Sequence, residues 1–241
     1  MTTSNAPVLA GFAHGTSSDE GRAATVELMR AVADAHPALD VRLGYVDVQQ
    51  PDAPAVLGAV EPGRPVVVVP LLLSAGYHVY VDLTEAVQAE TDRHTILTGA
   101  LGPDDRLTDL LKLRLLAAGL TDDDTIVLAV AGSSDDRAVA DCHVVGSQLA
   151  QLLGREVSVG FLSAAHPRLP EAVAAAREAH PGSRIMVSSY LLAPGYFQSL
   201  VEAAGADAVT QPLLLATGPA PEQLVNVVAS RYFDALVVPD A

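Results

Sequence analysis

The chain has 241 residues, enough for one large domain or two small ones, and half of them are hydrophobic, so a sizeable core can be buried. Its formal net charge of −15 argues against nucleic acid and anionic membranes as partners, because binding to phosphate groups requires clusters of lysine and arginine. The single cysteine, Cys142, cannot form an internal disulfide, and residues 1–7 lack the pattern of a secretory signal, so we expect a cytoplasmic protein.

Short β-branched or apolar runs alternate with stretches of helical length along the whole chain. We predict strands, in chain order, at residues 8–13, 41–46, 66–73, 95–98, 126–131, 157–161, 184–191 and 208–211. We predict helices between them, among others at residues 20–35, 104–118, 136–153 and 170–180. This alternation predicts an α/β fold in which helices flank parallel sheets on both faces.

The two halves of the sequence share three motifs in the same order, at an offset of roughly 117 residues. The motifs and their repeats are GTSSD at 15–19 and GSSD at 132–135, GYV at 44–46 and GFL at 160–162, and SAGY at 74–77 and APGY at 193–196. Chance similarity between two α/β units is the alternative, but three ordered matches disfavour it. We therefore predict two similar four-stranded domains from an internal duplication, residues 1–120 and residues 121–241.

Two histidines follow strands of the first half. In open parallel sheets, ligands bind at the carboxyl ends of the strands. His14 comes directly after the first predicted strand, and His78 follows the third. If these two strands are neighbours, both imidazoles enter one crevice. The matching positions of the second half are Ala131 and Phe197. Both histidines are thus present in one half and both are absent from the other, which favours a functional role over a structural one.

A pair of imidazoles can bind Fe, Co, Ni or Zn and can also act as a base near neutral pH. Without a third strong ligand such a pair makes an open site, unlike a closed structural zinc site. Asp47, just after the second predicted strand, could orient a histidine, bind the metal or accept a proton, or it could be a solvated loop carboxylate. Asp82 lies four residues beyond His78 and could support that ring or cap a helix.

Two polar loops precede predicted helices, one at 15–18 and one at 132–134. Free backbone N–H groups and hydroxyls in such loops suit an anion, although capping of the helices explains the same residues equally well. Neither loop has the lysine of a phosphate-binding P-loop, and no dinucleotide-binding glycine pattern follows a strand. We therefore expect no nucleotide cofactor.

At this point a family resemblance becomes specific. The segments that carry it are AHGT at 13–16, VVVPLLLSAGYHV at 67–79, AGSSD at 131–135 and PGYF at 194–197. The chain resembles the sirohydrochlorin chelatases of the CbiX and SirB type, the class II tetrapyrrole chelatases, in their two-domain bacterial form. The resemblance extends from about residue 8 to residue 233, and the segment at 67–79 is its most specific part.

The resemblance implies a lyase that inserts a divalent metal into sirohydrochlorin without ATP, with the tetrapyrrole held between two chelatase-type domains. It implies that His14 and His78 are catalytic, binding the metal and helping to remove the pyrrole protons. Asp47 is a candidate metal ligand at a position where the family more often has glutamate. The candidate substrate-binding residues are Gly15, Thr16, Ser17, Ser74, Tyr77, Gly132, Ser133, Ser134, Tyr196 and Phe197.

The expected partners are therefore the tetrapyrrole and the substrate metal, Fe²⁺ or Co²⁺, with no further cofactor. We expect a monomer, because the duplication supplies both halves of the cleft. Sirohydrochlorin is a polycarboxylate, which conflicts with the acidity of the chain unless the helix starts near Gly15 and Gly132, with Arg22 or Arg137, offset it locally.

Two alternatives to iron insertion stay open, and a third is disfavoured. Cobalt insertion for cobalamin, or nickel insertion, competes with iron insertion for sirohaem; we favour iron because the chain lacks a histidine-rich metal-handling tract. A non-catalytic carrier of metal or tetrapyrrole would use the same cleft. A histidine phosphatase is disfavoured, because Ala13 stands where that class has the arginine that binds phosphate.

Overall fold

The computed structural model describes residues 6–74 and 77–237, apart from the side chains of residues 77–80. Strands and helices alternate as predicted. The first half contains β1 (Val8–Ala13), α1 (Asp19–Ala35), β2 (Val41–Tyr45), α2 (Ala53–Gly58), β3 (Val66–Pro70), α3 (Tyr77–Ala89), β4 (Thr95–Leu97) and α4 (Asp105–Ala117). The second half contains β5 (Thr125–Val130), α5 (Asp136–Leu153), β6 (Val157–Phe161), α6 (Leu169–Ala179), β7 (Ile185–Tyr190), α7 (Tyr196–Glu202), β8 (Ala208–Val209) and α8 (Glu222–Val237).

The strands form two separate parallel sheets of four strands each, in the orders β2-β1-β3-β4 and β6-β5-β7-β8. In the first sheet β1 pairs with β3, and Phe12 lies opposite Pro70. In the second sheet β5 pairs with β7 in the same way, and Val130 lies opposite Tyr190. The predicted α/β fold of two similar four-stranded domains is confirmed, and so is the neighbour relation of the first and third strands.

The sequence of the central strands explains their position. All six residues of β1 and all five of β3 are buried, because helices cover both faces of each sheet. The predicted third strand extended to residue 73, but β3 ends at Pro70, which has no N–H to donate to a neighbouring strand. The N–H of Leu71 still donates to the Phe12 carbonyl of β1, and residues 71–74 become part of the cleft described below.

Side-chain caps set the helix starts that matter for the site. The Ser18 side chain accepts a hydrogen bond from the N–H of Gly21 at the start of α1, and Asp135 caps α5 through the N–H of Arg137. At its other end α5 stops at Gly154, as predicted, in the left-handed conformation with φ of 65°.

The last helix of each half packs against the sheet of the other half. Helix α4 contacts α5 and β7, and the Arg114 guanidinium donates to the carbonyls of Pro212 and Leu213. Helix α8 contacts α1 and β3, and the Tyr232 hydroxyl donates to the Pro7 carbonyl at 2.8 Å. The chain therefore exchanges its terminal helices between the two sheets, while the division of the sequence near residue 120 stays a prediction.

One hydrophobic cluster runs through both halves as a consequence of this exchange. It includes Leu28 of α1, Leu111 of α4 and Val228 of α8, all fully buried. Two smaller clusters cover the outer faces of the sheets, one around Leu57 of α2 and one around Val173 of α6. Among the described helices, none combines the length and the apolar character that crossing a membrane requires.

Candidate functional site

A cleft of about 740 Å³ lies between the two halves, at the carboxyl ends of their central strands. Most of its wall comes from the ends of β1, β3, β5 and β7 and the segments that follow them, that is, residues 13–17, 71–74, 130–134 and 190–197. This is the place where parallel sheets bind ligands, and the volume falls within the usual range for small-molecule sites.

The cleft has no formal charge in its described wall. Among the described residues that line it, none is aspartate, glutamate, lysine or arginine, although the whole chain carries a net charge of −15. Its polar groups are the imidazole of His14, the amide of Gln49, the hydroxyls of serines, threonines and tyrosines, and backbone groups. The acidity of the chain therefore lies outside the described wall. It reaches the starts of α1 and α5, which adjoin the cleft and carry Asp19 and Glu20, and Asp135 and Asp136.

His14 is exposed at the end of β1 and lines the cleft. Its carbonyl accepts a hydrogen bond from the N–H of Asp47 at 2.9 Å, which ties the loop after β1 to the loop after β2. Gly15 follows with φ of 100°, and a Cβ there would collide with the Asp47 carbonyl oxygen. Only glycine fits this position, so the backbone next to the imidazole is set by the close approach of the two loops.

The backbone of Asp47 is hydrogen-bonded to that of His14, but the Asp47 side chain bonds to the residue that follows it. The carboxylate accepts the N–H of Val48 at 2.7 Å, and the residue is exposed. Val48 and Gln49, the next two residues, line the cleft, whereas Asp47 does not. A direct role for Asp47 in metal binding stays a prediction that requires its side chain to turn towards the cleft.

Two predicted residues fall where side chains are not described. His78 and Tyr77 belong to the first turn of α3, and their side chains lie outside the described residues. Asp82, one turn further along α3, is exposed. Among the described residues, no group of three or more histidines, cysteines or carboxylates is arranged to hold a metal ion.

The segment that leads to α3 is anchored to the second half of the molecule. The Leu73 carbonyl accepts a hydrogen bond from the Tyr190 hydroxyl at 3.1 Å, and the Ser74 side chain hydrogen-bonds to the thiol of Cys142. Tyr190 is buried, and burial raises the pKa of its hydroxyl far above the ordinary value, so it acts as a neutral donor. Ser74 was predicted from its motif; Tyr190 and Cys142 were not, because their contacts cross between the halves.

Cys142 lies at the floor of the cleft as a free and buried thiol. Burial raises its pKa to about 11, despite the hydrogen bond from Ser74, and this keeps the thiol protonated. A protonated thiol is a poor metal ligand. The neighbouring His143 is exposed on α5 and packs edge-on against Phe161, with ring centroids 5.6 Å apart.

The second half repeats the loop after the first strand without its histidine. Gly132 has φ of 86°, and the N–H of Ser163 donates to the carbonyl of Ala131, as Asp47 does to His14. The Ser133 side chain accepts the N–H of Asp135 at 3.0 Å. The predicted residues of this loop, Gly132, Ser133 and Ser134, all line the cleft.

Two aromatic residues at the start of α7 close the cleft on the side of the second half. Tyr196 is 71% exposed and Phe197 is 36% exposed, and their ring centroids lie 6.1 Å apart. Both line the cleft, so neither ring is sealed inside its own domain. They present apolar area to any flat ligand that enters.

Gln49 and Tyr45 were missed from the sequence. Both line the cleft, and the Gln49 side chain accepts the N–H of Thr16 at 2.8 Å. Tyr45 is buried, and its pKa is raised by burial, partly offset by a hydrogen bond with Gln49. The signal that could have found them is the comparison of the halves, which have Ala165 and Phe161 at the matching positions.

A known protein family matches each of the two halves that form the cleft. The model of the CbiX family matches residues 9–118 and again residues 125–235. The comparison with curated protein sequences gave no match.

Three solved structures share the fold along nearly the whole chain. SirB from Bacillus subtilis with Fe³⁺ has a TM-score of 0.79 and 17% sequence identity, covering 96% of this chain and 96% of that chain. SirB from Bacillus subtilis subspecies spizizenii in complex with cobalt has a TM-score of 0.69 and 14% identity, covering 95% and 94%. CbiX, described as the terminal enzyme for biosynthesis of siroheme in denitrifying bacteria, has a TM-score of 0.65 and 20% identity, covering 96% and 100%.

The two family matches coincide with the two halves, and each spans one of the four-stranded sheets. The resemblance noted from the motifs around His14 and Ser74 is thereby confirmed. The chain belongs to the CbiX family, as a member with two copies of the family domain.

Proposed function

We propose that this chain is a sirohydrochlorin chelatase that inserts a divalent metal, preferably Fe²⁺, into sirohydrochlorin to give sirohaem. The observation that carries the proposal is the exposed imidazole of His14, which lines a cleft between the two halves of a CbiX-family chain. The fold shared with SirB and with the CbiX of siroheme biosynthesis supports the choice of substrate.

The reaction replaces the two pyrrole N–H protons of the macrocycle by one metal ion. The protein must hold the metal weakly enough to release it to the ring nitrogens, and a base must take up the protons. We propose that His14 and His78 share both tasks, because a neutral imidazole is a ligand for these metals and also a base near neutral pH. Asp47 is proposed as an auxiliary ligand, and no cofactor beyond the substrate metal is proposed.

The wall of the cleft suits a flat polycarboxylate. Its described residues carry no carboxylate that would repel the substrate, and the carboxylates at the starts of α1 and α5 lie outside this wall. We propose that the hydroxyls of Thr16, Ser17, Ser133 and Ser134, together with the backbone at Gly15 and Gly132, meet the substrate's carboxylates. Tyr196 and Phe197, together with Ser74 and Tyr77, would contact the macrocycle itself.

Cobalt insertion is the second candidate, and one observation favours it: a SirB of the same fold was solved in complex with cobalt. A non-catalytic carrier of metal or tetrapyrrole is the candidate from another class.

We also propose a cytoplasmic monomer. Through the exchange of α4 and α8, each sheet is covered by a helix of the other half within one chain, and the free Cys142 suits a reducing compartment.

Anaerobic insertion by the purified protein tests the proposal. Sirohydrochlorin in large excess over protein is mixed with Fe²⁺, Co²⁺ or Ni²⁺, and the absorbance of the metallated product is followed. We expect many turnovers per chain, fastest with Fe²⁺. Binding of sirohydrochlorin or metal at one equivalent per chain, with no acceleration of insertion, would contradict a chelatase and support a carrier; faster turnover with Co²⁺ would reverse the proposed preference.

A further inference from the structure

The peptide unit on each side of Thr16 is held by a side chain from outside the loop. The N–H of Thr16 donates to Oε1 of Gln49 at 2.8 Å, and its carbonyl accepts a hydrogen bond from Nε of Arg22 at 2.9 Å. We call Gln49 and Arg22 together the Thr16 clamp. Thr16 is two residues beyond His14 on the loop after β1, so the clamp fixes the backbone that carries the imidazole.

Gln49 is itself held in place. It follows β2 and lines the cleft, and its side chain lies next to that of Tyr45, which is 6% exposed at the end of β2. The backbone N–H of Gln49 donates to the Asp47 carbonyl at 2.6 Å, and this hydrogen bond fixes the backbone of Gln49 in the loop after β2. A side chain placed in this way reaches Thr16 in one defined position.

The second half forms the same loop without the clamp. The positions that match Gln49, Arg22 and Tyr45 are occupied by Ala165, Val139 and Phe161, none of which can make these hydrogen bonds. The loop around Gly132 nevertheless keeps the positive φ and the backbone bond to the loop after β6. The clamp is therefore not needed to form the loop, and it is present only in the half that has the histidine.

We propose that Gln49 is a positioning residue for His14, holding the loop after β1 so that the imidazole keeps its place at the cleft. This inference rests on the proposed function, in which His14 binds the metal and takes up a proton. Small displacements of a reacting group are costly in catalysis, because the reacting atoms must approach within a narrow range of distances. A hydrogen bond that only maintained the fold would be expected in both halves.

Three variants at two neighbouring positions test the inference. Gln49→Met keeps the length of the side chain and removes the acceptor, while Gln49→Glu keeps an acceptor for the Thr16 N–H. Gln50→Met is the matched control, because the exposed Gln50 side chain bonds only to Asp52. We expect Gln49→Met to lower kcat about tenfold with KM little changed, the scale of one lost hydrogen bond at a reacting group. Gln49→Glu should restore most of kcat but raise KM, because it adds a carboxylate to a wall that otherwise has none, and Gln50→Met should match the wild type.

A double variant tests whether the effect of Gln49 on the rate depends on His14, as a positioning role requires, or reflects a general loss of stability. In a His14→Ala background the loop has no imidazole to position, so adding Gln49→Met should change the residual rate less than about twofold. A further tenfold loss in that background would overturn the inference. A raised KM with unchanged kcat in the single variant Gln49→Met would also overturn the inference, because Gln49 would then be a substrate contact.

Two readouts do not depend on insertion activity. Hydrogen exchange of the Thr16 amide, followed by NMR, should accelerate in Gln49→Met and not in Gln50→Met. Binding of Co²⁺ alone should weaken several-fold in Gln49→Met. If the wild-type protein inserts no metal but both changes occur, the proposed function fails and the positioning role stands. If the Thr16 amide and the Co²⁺ affinity are unchanged, the positioning role fails whatever the activity of the protein.

Discussion

Cys142 shows how burial decides the chemistry of a single residue. Its thiol lies in the cleft, 4% exposed, where a metal could in principle reach it. A thiol binds metals as the thiolate, and burial opposes the charged form, which is why its pKa is raised to about 11. Imidazole, which binds metal in its neutral form, is the better ligand in the same environment.

The raised pKa of Cys142 predicts slow alkylation. At pH 8 the native thiol should react with iodoacetamide at least about a hundredfold more slowly than the same thiol in the unfolded chain, whose pKa is near 8.5. The rate should rise with pH up to about 11, because only the thiolate attacks. Mass spectrometry of native and urea-unfolded protein measures both rates, and equal rates at pH 8 would show that the thiol is not held in a buried, protonated form.

At the scale of elements, the contact between β7 and the segment after β3 links the halves at the cleft. Tyr190 ends β7, and its hydroxyl reaches the Leu73 carbonyl of the segment that leads to α3. The approach is close enough that a Cβ at Gly102 would collide with this hydroxyl. The second half thus holds the segment that precedes His78, and the two halves share the construction of the cleft.

Tyr190→Phe tests this link against a matched control. Tyr232→Phe also removes a hydroxyl that donates to a backbone carbonyl, that of Pro7, from a buried ring, but Tyr232 is not among the residues that line the cleft. We expect each variant to lose about 1 kcal/mol of unfolding free energy in urea, the usual net contribution of one hydrogen bond. Only Tyr190→Phe should also slow metal insertion. Equal insertion rates in the two variants would show that the link is structural only.

The elements themselves were largely predictable, and the contacts between them were not. Runs such as that of β1 are apolar throughout, so their position in the chain follows from composition and local pattern. The end of β3 at Pro70 and the roles of Gln49 and Tyr190 depend on which loops and strands meet in space. His14 was found because its motif is local, whereas Gln49 acts across 33 residues of sequence on the N–H of Thr16.

At the scale of the whole molecule, the duplication has produced two halves with the same loops and different side chains. Net charge is a property of the entire chain, and the described wall of the cleft carries no formal charge although the chain carries −15. The first half supplies His14 and the Thr16 clamp, and the second half supplies the exposed rings of Tyr196 and Phe197. We therefore expect the metal chemistry to depend on the first half alone, whereas both halves bind the substrate.

Steady-state kinetics of three variants tests this division most directly. His14→Ala should lower kcat for insertion at least about a hundredfold, the scale for losing a positioned acid–base group. Phe197→Ala should raise KM and leave kcat nearly unchanged, as expected when binding is lost equally from the ground state and the transition state. His143→Ala, at an exposed histidine that does not line the cleft, is the control and should match the wild type. A folded His14→Ala variant with near-normal kcat would contradict the account.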